Sequence, residues 1–168
     1  LMKFTMIGEK HRDAAFSARK RFMTGKSTPH IWKDNLPDEY EQAVNKFGAA
    51  ETERLERDIT VQCINDFWTD YLEYTSSLRE GIHLMAVGGK SPAEEYNIAC
   101  EEYFNGMEDE LTADVCEKLG DVLKCSKAED YHLAAPTEIW TDLLEDAGDE
   151  LKRKRTIEAI LSDEVKLC

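Results

Sequence analysis

The chain has 168 residues, 42% hydrophobic and 33% charged, with 35 acidic against 21 basic side chains and a formal net charge of −14. That composition supports one domain with its own core and holds no run of eighteen apolar residues that would span a bilayer as a helix. The negative charge repels a phosphate backbone on average, so no nucleic-acid partner is expected.

Leu1-Met2-Lys3-Phe4 is not followed by an apolar stretch and a small-residue cleavage site, so no secretory signal is expected. A chain starting at Leu1 is expected to be part of something longer. Residues 4–23 place Phe4, Ile7, His11, Ala14, Ala15, Ala18 and Phe22 at steps of three and four, which predicts an amphipathic helix with a basic opposite side. Its Lys10-His11-Arg12 and Arg19-Lys20-Arg21, like the later Lys152-Arg153-Lys154-Arg155, read as solvated faces balancing acidic neighbours. Gly25 suits a left-handed helix cap. Gly25-Lys26-Ser27 looks like the end of a phosphate-binding loop, but the glycine required five residues earlier is Lys20, a helix comes before it, and Pro29 soon follows. The motif is rejected. Residues 26–36 read as a connector whose Ile31 and Trp32 dock onto a core. Asn35-Leu36-Pro37-Asp38-Glu39 starts a short helix with proline and acids in its first turn. Tyr40, Val44 and Phe47 form its apolar stripe, and Gly48 stops it.

The main helix follows. Leu55, Ile59, Cys63, Phe67, Tyr71, Thr75, Leu78 and Ile82 fall on one face, widened by Ile64, Trp68 and Leu72, while Glu51, Glu53, Glu56 and Asp58 face away or cap the start. From about Ala50 to Leu84 only Gly81 interrupts, at a cost of about 1 kcal/mol against alanine. At about 1.5 Å per residue the helix runs about 50 Å. After the turn Met85-Ala86-Val87-Gly88-Gly89-Lys90, Ser91-Pro92-Ala93-Glu94 carries a helix-start signature, with a serine N-cap, proline at the first helical position and glutamate three residues after the cap. One returning helix is predicted, lined by Tyr96, Ala99, Cys100, Tyr103, Phe104, Met107, Leu111, Val115, Leu119, Val122 and Leu123, and packing antiparallel on the first.

Lys124–Ala135 reads as a loop or extended passage. Pro136-Thr137 opens a short helix with Ile139, Trp140, Leu143 and Leu144, and 150–167 reads as a last helix. No alternating run supports a strand, so the fold class is all-α: a single elongated helical domain over 1–168, built of N-terminal helices and connector (1–50), the long hairpin (51–124) and C-terminal helices (125–168).

No catalytic or metal-binding residue is assigned. His11, His30, His83 and His132 make no ligand spacing with one another or with a cysteine. Cys63, Cys100, Cys116, Cys125 and Cys168 contain no close pair and read as small buried hydrophobes of a reducing compartment. Glu101-Glu102 lacks the following Glu-x-x-His of a di-metal bundle. No Gly-x-Ser-x-Gly elbow is present, and Ser76-Ser77 read as helix surface.

The ordered string Leu78-Arg79-Glu80-Gly81-Ile82-His83-Leu84, Lys90-Ser91-Pro92-Ala93-Glu94-Glu95-Tyr96 and Phe104-Asn105-Gly106-Met107, preceded by Ile64-Asn65-Asp66-Phe67-Trp68-Thr69-Asp70-Tyr71-Leu72, resembles the helical scaffold domain of SecA, the ATPase motor of bacterial preprotein translocation. The clear match spans about residues 59–110. The resemblance implies a two-helix finger with Trp68, Arg79, Gly81, Ile82, His83, Pro92, Glu95 and Tyr96 at family-motif positions. It also implies a tip at Met85, Ala86, Val87, Gly88 and Gly89 that touches the translocating polypeptide or the Sec channel. Val87 stands where the family typically has tyrosine, and the arginine before it is missing. The first helix, with Arg19-Lys20-Arg21, corresponds to the end of the family's long scaffold helix. The stretch between Gly25 and Ile59 leaves the family's wing subdomain shortened or missing, and its cysteine-rich zinc tail is not recognisable.

The phosphate loop and acidic motif of the family's motor are absent from these residues. ATP and Mg are therefore implied for a parent motor and no cofactor for this chain, which is not expected to be an enzyme by itself. Implied partners are the parent's nucleotide-binding motor domains, unfolded preprotein and the Sec channel. The implied location is cytoplasmic, or peripheral at the inner membrane face. A second reading keeps the fold and drops transport: a stand-alone acidic helical module that binds another protein. On bland readings the tip is an ordinary glycine loop and Arg79 pairs with a carboxylate on a helix surface.

Overall fold

The computed structural model describes residues 2–25, 27–82 and 91–133. The chain divides into two units, Leu1–Ala134 and Ala135–Cys168, and every described residue lies in the first. The expected C-terminal helices and the glycine turn, His83 and Lys90 included, lie outside the described residues. Within the described residues the fold is all-α: α1 (Met2–Met23), α2 (Ile31–Asn35), α3 (Pro37–Phe47), α4 (Ala49–Gly81), α5 (Pro92–Asn105), α6 (Met107–Lys124) and a 3-10 turn at Ala128–Asp130.

The 33-residue α4 is the axis around which the other helices pack. Its predicted stripe is the core face: Leu55, Ile59, Cys63, Phe67, Tyr71, Thr75 and Ile82 are all buried, together with Ile64 and Trp68. Along its first half, Leu55, Ile59 and Cys63 join Trp32 of α2, Ala43 of α3, Val115, Leu119 and Val122 of α6, and Ala128 in one apolar cluster. Along its second half it packs against α1 and α5. Arg19 Nε donates to Asn65 Oδ1 at 2.8 Å, and Phe16 meets Trp68 edge to face at 6.3 Å. His11 reaches Tyr71. Residue numbers rise on α1 as they fall on α4, so the two run antiparallel.

Local chemistry accounts for most of the boundaries. Pro37 opens α3 with Asp38 and Glu39 behind it. Gly48, at φ 90°, lies in a backbone region that side chains rarely adopt and separates α3 from α4. Gly25, at φ 65°, ends α1 as predicted, its N–H donating to Phe22 O at 3.1 Å.

Three features differ from the sequence reading. The returning segment is two helices, α5 and α6, broken at Gly106. There the N–H of Gly106 tightens back to Tyr103 O at 3.2 Å, its C=O accepts from Glu110 at 3.1 Å, and Glu108, Asp109 and Glu110 supply the acidic first turn of a new helix. The connector contains a helix of its own, α2, which begins after His30 in a left-handed conformation. Glu56, read as facing away, is fully buried: its Oε1 accepts from the Trp32 N–H at 2.8 Å and so meets the first turn of α2.

Candidate functional site

The family-motif positions on the described residues fall at the two helix ends that flank the turn. Arg79 and Gly81 close α4, and Ile82, 4% exposed, seals that end of the core. Pro92 is the first residue of α5, with Glu95 and Tyr96 in its opening turns. Ser91 is the N-cap, but its side chain makes no capping bond; its carbonyl instead accepts from the N–H groups of Glu94 and Glu95, both at 3.1 Å. The resulting cross-link is Arg79 to Tyr96. The guanidinium Nη2 donates to the tyrosine hydroxyl at 3.4 Å and lies 5.9 Å from the ring centroid. Arg79 is exposed and Tyr96 buried, so the ring anchors and the cation covers it. The partner expected for Arg79 was a carboxylate; an aromatic hydroxyl and ring take that place.

Trp68 lies three turns earlier and is not near this end. It stacks on Tyr71 at 5.2 Å, is 2% exposed, and leaves its indole Nε1 buried without an acceptor. Its role is packing. The tip positions Met85, Ala86, Val87, Gly88 and Gly89 fall outside the described residues, as does His83.

An aromatic ladder holds α4 to α5 below the Arg79–Tyr96 contact. Tyr74 stacks on Tyr103 at 4.4 Å, Tyr71 meets Tyr103 at 5.9 Å and Phe104 at 5.7 Å, and Phe67 meets Phe104 at 6.0 Å. The pairing order establishes an antiparallel register. Each offset or edge-to-face pair adds about 0.5–1.5 kcal/mol beyond its area burial, so the two helices are locked against sliding.

Sequence reasoning missed the most elaborate polar group. His11 of α1 is 1% exposed and bonds both helices of the hairpin: Nδ1 to the Tyr71 hydroxyl at 2.7 Å and Nε2 to Glu101 Oε2 at 3.0 Å. Its ring stacks flat on Phe104 at 4.1 Å. Lys10 Nζ reaches the other Glu101 oxygen at 2.7 Å. Burial lowers the His11 pKa against the pull of Glu101, while Lys10 and then His11 hold Glu101 below its usual value. Burial also pushes the Tyr71 hydroxyl far up. A neutral imidazole with its proton on Nε2 satisfies both partners, since Tyr71 then donates to Nδ1 and Nε2 donates to the carboxylate. The signal available in the sequence was His11 standing in line with the apolar stripe of its helix.

These groups position rather than react. Among the described residues, no group of three or more His, Cys, Asp or Glu side chains is arranged to hold a metal ion. Burial pushes the Cys63 thiol up to about 12 and raises Cys100 as well, so both are protonated and poor nucleophiles. No helix among the described residues is long and apolar enough to cross a membrane.

The family model for the SecA Wing and Scaffold domain matches residues 30–123. Protein translocase subunit SecA 2 of Thermobifida fusca (strain YX) is 30% identical over 115 residues, which cover 67% of this chain and 15% of that protein. Protein translocase subunit SecA of Bordetella pertussis (strain Tohama I) is 36% identical over 80 residues, 48% of this chain and 9% of that protein. Protein translocase subunit SecA 2 of Mycobacterium tuberculosis (strain CDC 1551 / Oshkosh) is 28% identical over 117 residues, 66% of this chain and 14% of that protein. No solved structure matches the chain. The chain thus spans a small part, 9% to 15%, of the length of these curated relatives. The match leaves out α1 and its His11, which precede residue 30.

Proposed function

Because this chain belongs to the SecA wing and scaffold domain family, we propose that its α4–α5 pair works as a two-helix finger of a SecA-like protein translocation ATPase. The observation that carries this reading is the geometry of the pair. One uninterrupted helix of 33 residues lies antiparallel to α5, registered by the aromatic ladder, with Arg79 and Tyr96 tied together at its outer end. At about 1.5 Å per residue α4 is about 50 Å long. A helix pair locked in register moves as one body, so a displacement applied at its base arrives at its end.

In this reading the residues between Ile82 and Ser91 form the working tip. Met85, Ala86, Val87, Gly88 and Gly89 would press on an unfolded preprotein or on the Sec channel; a small apolar tip suits contact that tolerates many sequences. The nucleotide-binding motor domains are the source of movement, and ATP and Mg are theirs. This chain supplies no hydrolysis, and the site of action is the cytoplasmic face of the membrane. The stretch where the family's wing is expected, between Gly25 and Ile59, holds α2, α3 and the start of α4 among the described residues, in keeping with a shortened wing.

The test is transport by the longer motor protein carrying these residues, with Val87→Asp placed at the tip and Val87→Tyr restoring the usual aromatic ring. The aspartate variant is expected to lower preprotein transport several-fold while leaving basal ATPase activity intact, and the tyrosine variant is expected to retain transport. Unchanged transport in the aspartate variant would sink the reading.

A further inference from the structure

α1 makes a contact with the hairpin that packing alone does not require. Two of its described side chains are fully buried, Ala15 and His11. At one point it inserts an imidazole that bonds α4 through Tyr71 and α5 through Glu101 at the same time. Lys10 reaches the other oxygen of Glu101 on α5, and Arg19 donates to Asn65 on α4, but His11 is the side chain seen to bond both helices. We propose that α1 is a strap across the α4–α5 pair, latched by neutral His11 and released when His11 takes up a proton.

The argument rests on which atoms carry protons. Neutral His11 accepts from Tyr71 at Nδ1 and donates to Glu101 at Nε2. A second proton turns Nδ1 into a donor aimed at the Tyr71 hydroxyl, which must then turn its own proton away. The alternative acceptor beside Tyr71 is the Cys100 thiol, a weak one. The added charge also sits in a site 1% exposed to water. The charged groups facing the ring are Glu101 on α5, which favours the imidazolium, and Lys10 on α1, which opposes it and already neutralises that carboxylate. Tyr71 on α4 and Cys100 on α5 are uncharged at neutral pH, burial raising both.

Burial wins, and His11 titrates below its ordinary 6.5 when α1 is docked. The undocked strap therefore binds more protons than the docked one as pH falls below 6.5. Docking is at full strength above that value and weakens below it, until the docked ring itself protonates. Release frees the α4–α5 pair on the side that carries Phe104 and Tyr71. This strap operates whether or not the hairpin touches polypeptide, so its failure and that of the transport proposal are separate.

The experiment is 19F NMR of the full chain carrying 5-fluorotryptophan. Trp68 lies against Phe16 of α1 and reports the strap. Trp32, in the α2–α3–α6 cluster, is the internal reference, and Trp68→Phe together with Trp140→Phe assigns the three tryptophan signals. From about pH 8 to about pH 5.5 the Trp68 resonance is expected to move toward an undocked position, beginning below the ordinary histidine value, while Trp32 holds still. In His11→Phe, which keeps a ring on Phe104, and in His11→Gln the titration should vanish; should one variant fail to fold, the other gives the comparison. A Trp68 signal that stays flat in the wild-type chain overturns the proposal. So does a titration that persists without His11, or one in which Trp32 moves in step with Trp68.

Discussion

The indole Nε1 of Trp32 donates to the main-chain oxygen of Val115 at 2.6 Å, a bond between the first turn of α2 and the middle of α6. With the Trp32 N–H held by Glu56 of α4, one fully buried residue ties three helices. The base of the hairpin therefore turns on a five-residue helix that has little stability of its own.

Truncating that anchor should be costly. Trp32→Ala removes a large buried ring together with the Val115 bond and is expected to lower unfolding stability by about 3–5 kcal/mol. Trp32→Phe keeps most of the ring and should cost about 2 kcal/mol. Urea unfolding followed by far-UV circular dichroism measures both. A loss below about 1 kcal/mol for the alanine variant would show that α2 is not an anchor.

Glu56 gives a pH prediction. Burial raises its carboxyl above the ordinary 4.5, with the Trp32 N–H pulling the other way, and its Oε2 has no partner. Between the unfolded and folded values the folded state holds the extra proton. The stability supplied by this group is present at low pH and lost as pH rises through the folded value. Glu56→Gln has no proton to lose. Its stability relative to wild type should climb as pH rises from the ordinary carboxyl value toward neutrality. Subtracting the two profiles removes the opposite slopes of Glu51, Glu101 and Asp121, whose carboxyls are held low by Arg54, Lys10 and Lys124. A constant gap between the two proteins would contradict the assignment.

What the sequence revealed follows from how far each cause reaches. Pro37, Gly48 and the α4 stripe act over one or two turns, so α3, α4 and the buried face from Leu55 to Ile82 were legible, as was the docking of Trp32. The break at Gly106 was not, because Met107, Leu111, Val115 and Leu119 keep the helical spacing straight across it. Glu56 and His11 are long-range cases. A glutamate on a helix reads as solvent-facing until Trp32, 24 residues earlier, brings a backbone donor to it. The partners of His11 are 60 and 90 residues away. At the candidate site the fold brings Arg79 and Tyr96 of the motif string to one end and leaves Trp68, which the string has on the helix leading into the finger, in the packed interior.

The central claim is that the outer end of the α4–α5 pair meets a translocating chain. The most direct measurement places a photo-crosslinking amino acid at Val87 in the longer motor protein, with the exposed α4 position Glu73 as control, and stalls a preprotein in transit. ATP-dependent adducts to the preprotein from position 87 and few from position 73 are the predicted result. Absence of adducts from position 87, or equal yields from both positions, would contradict the account.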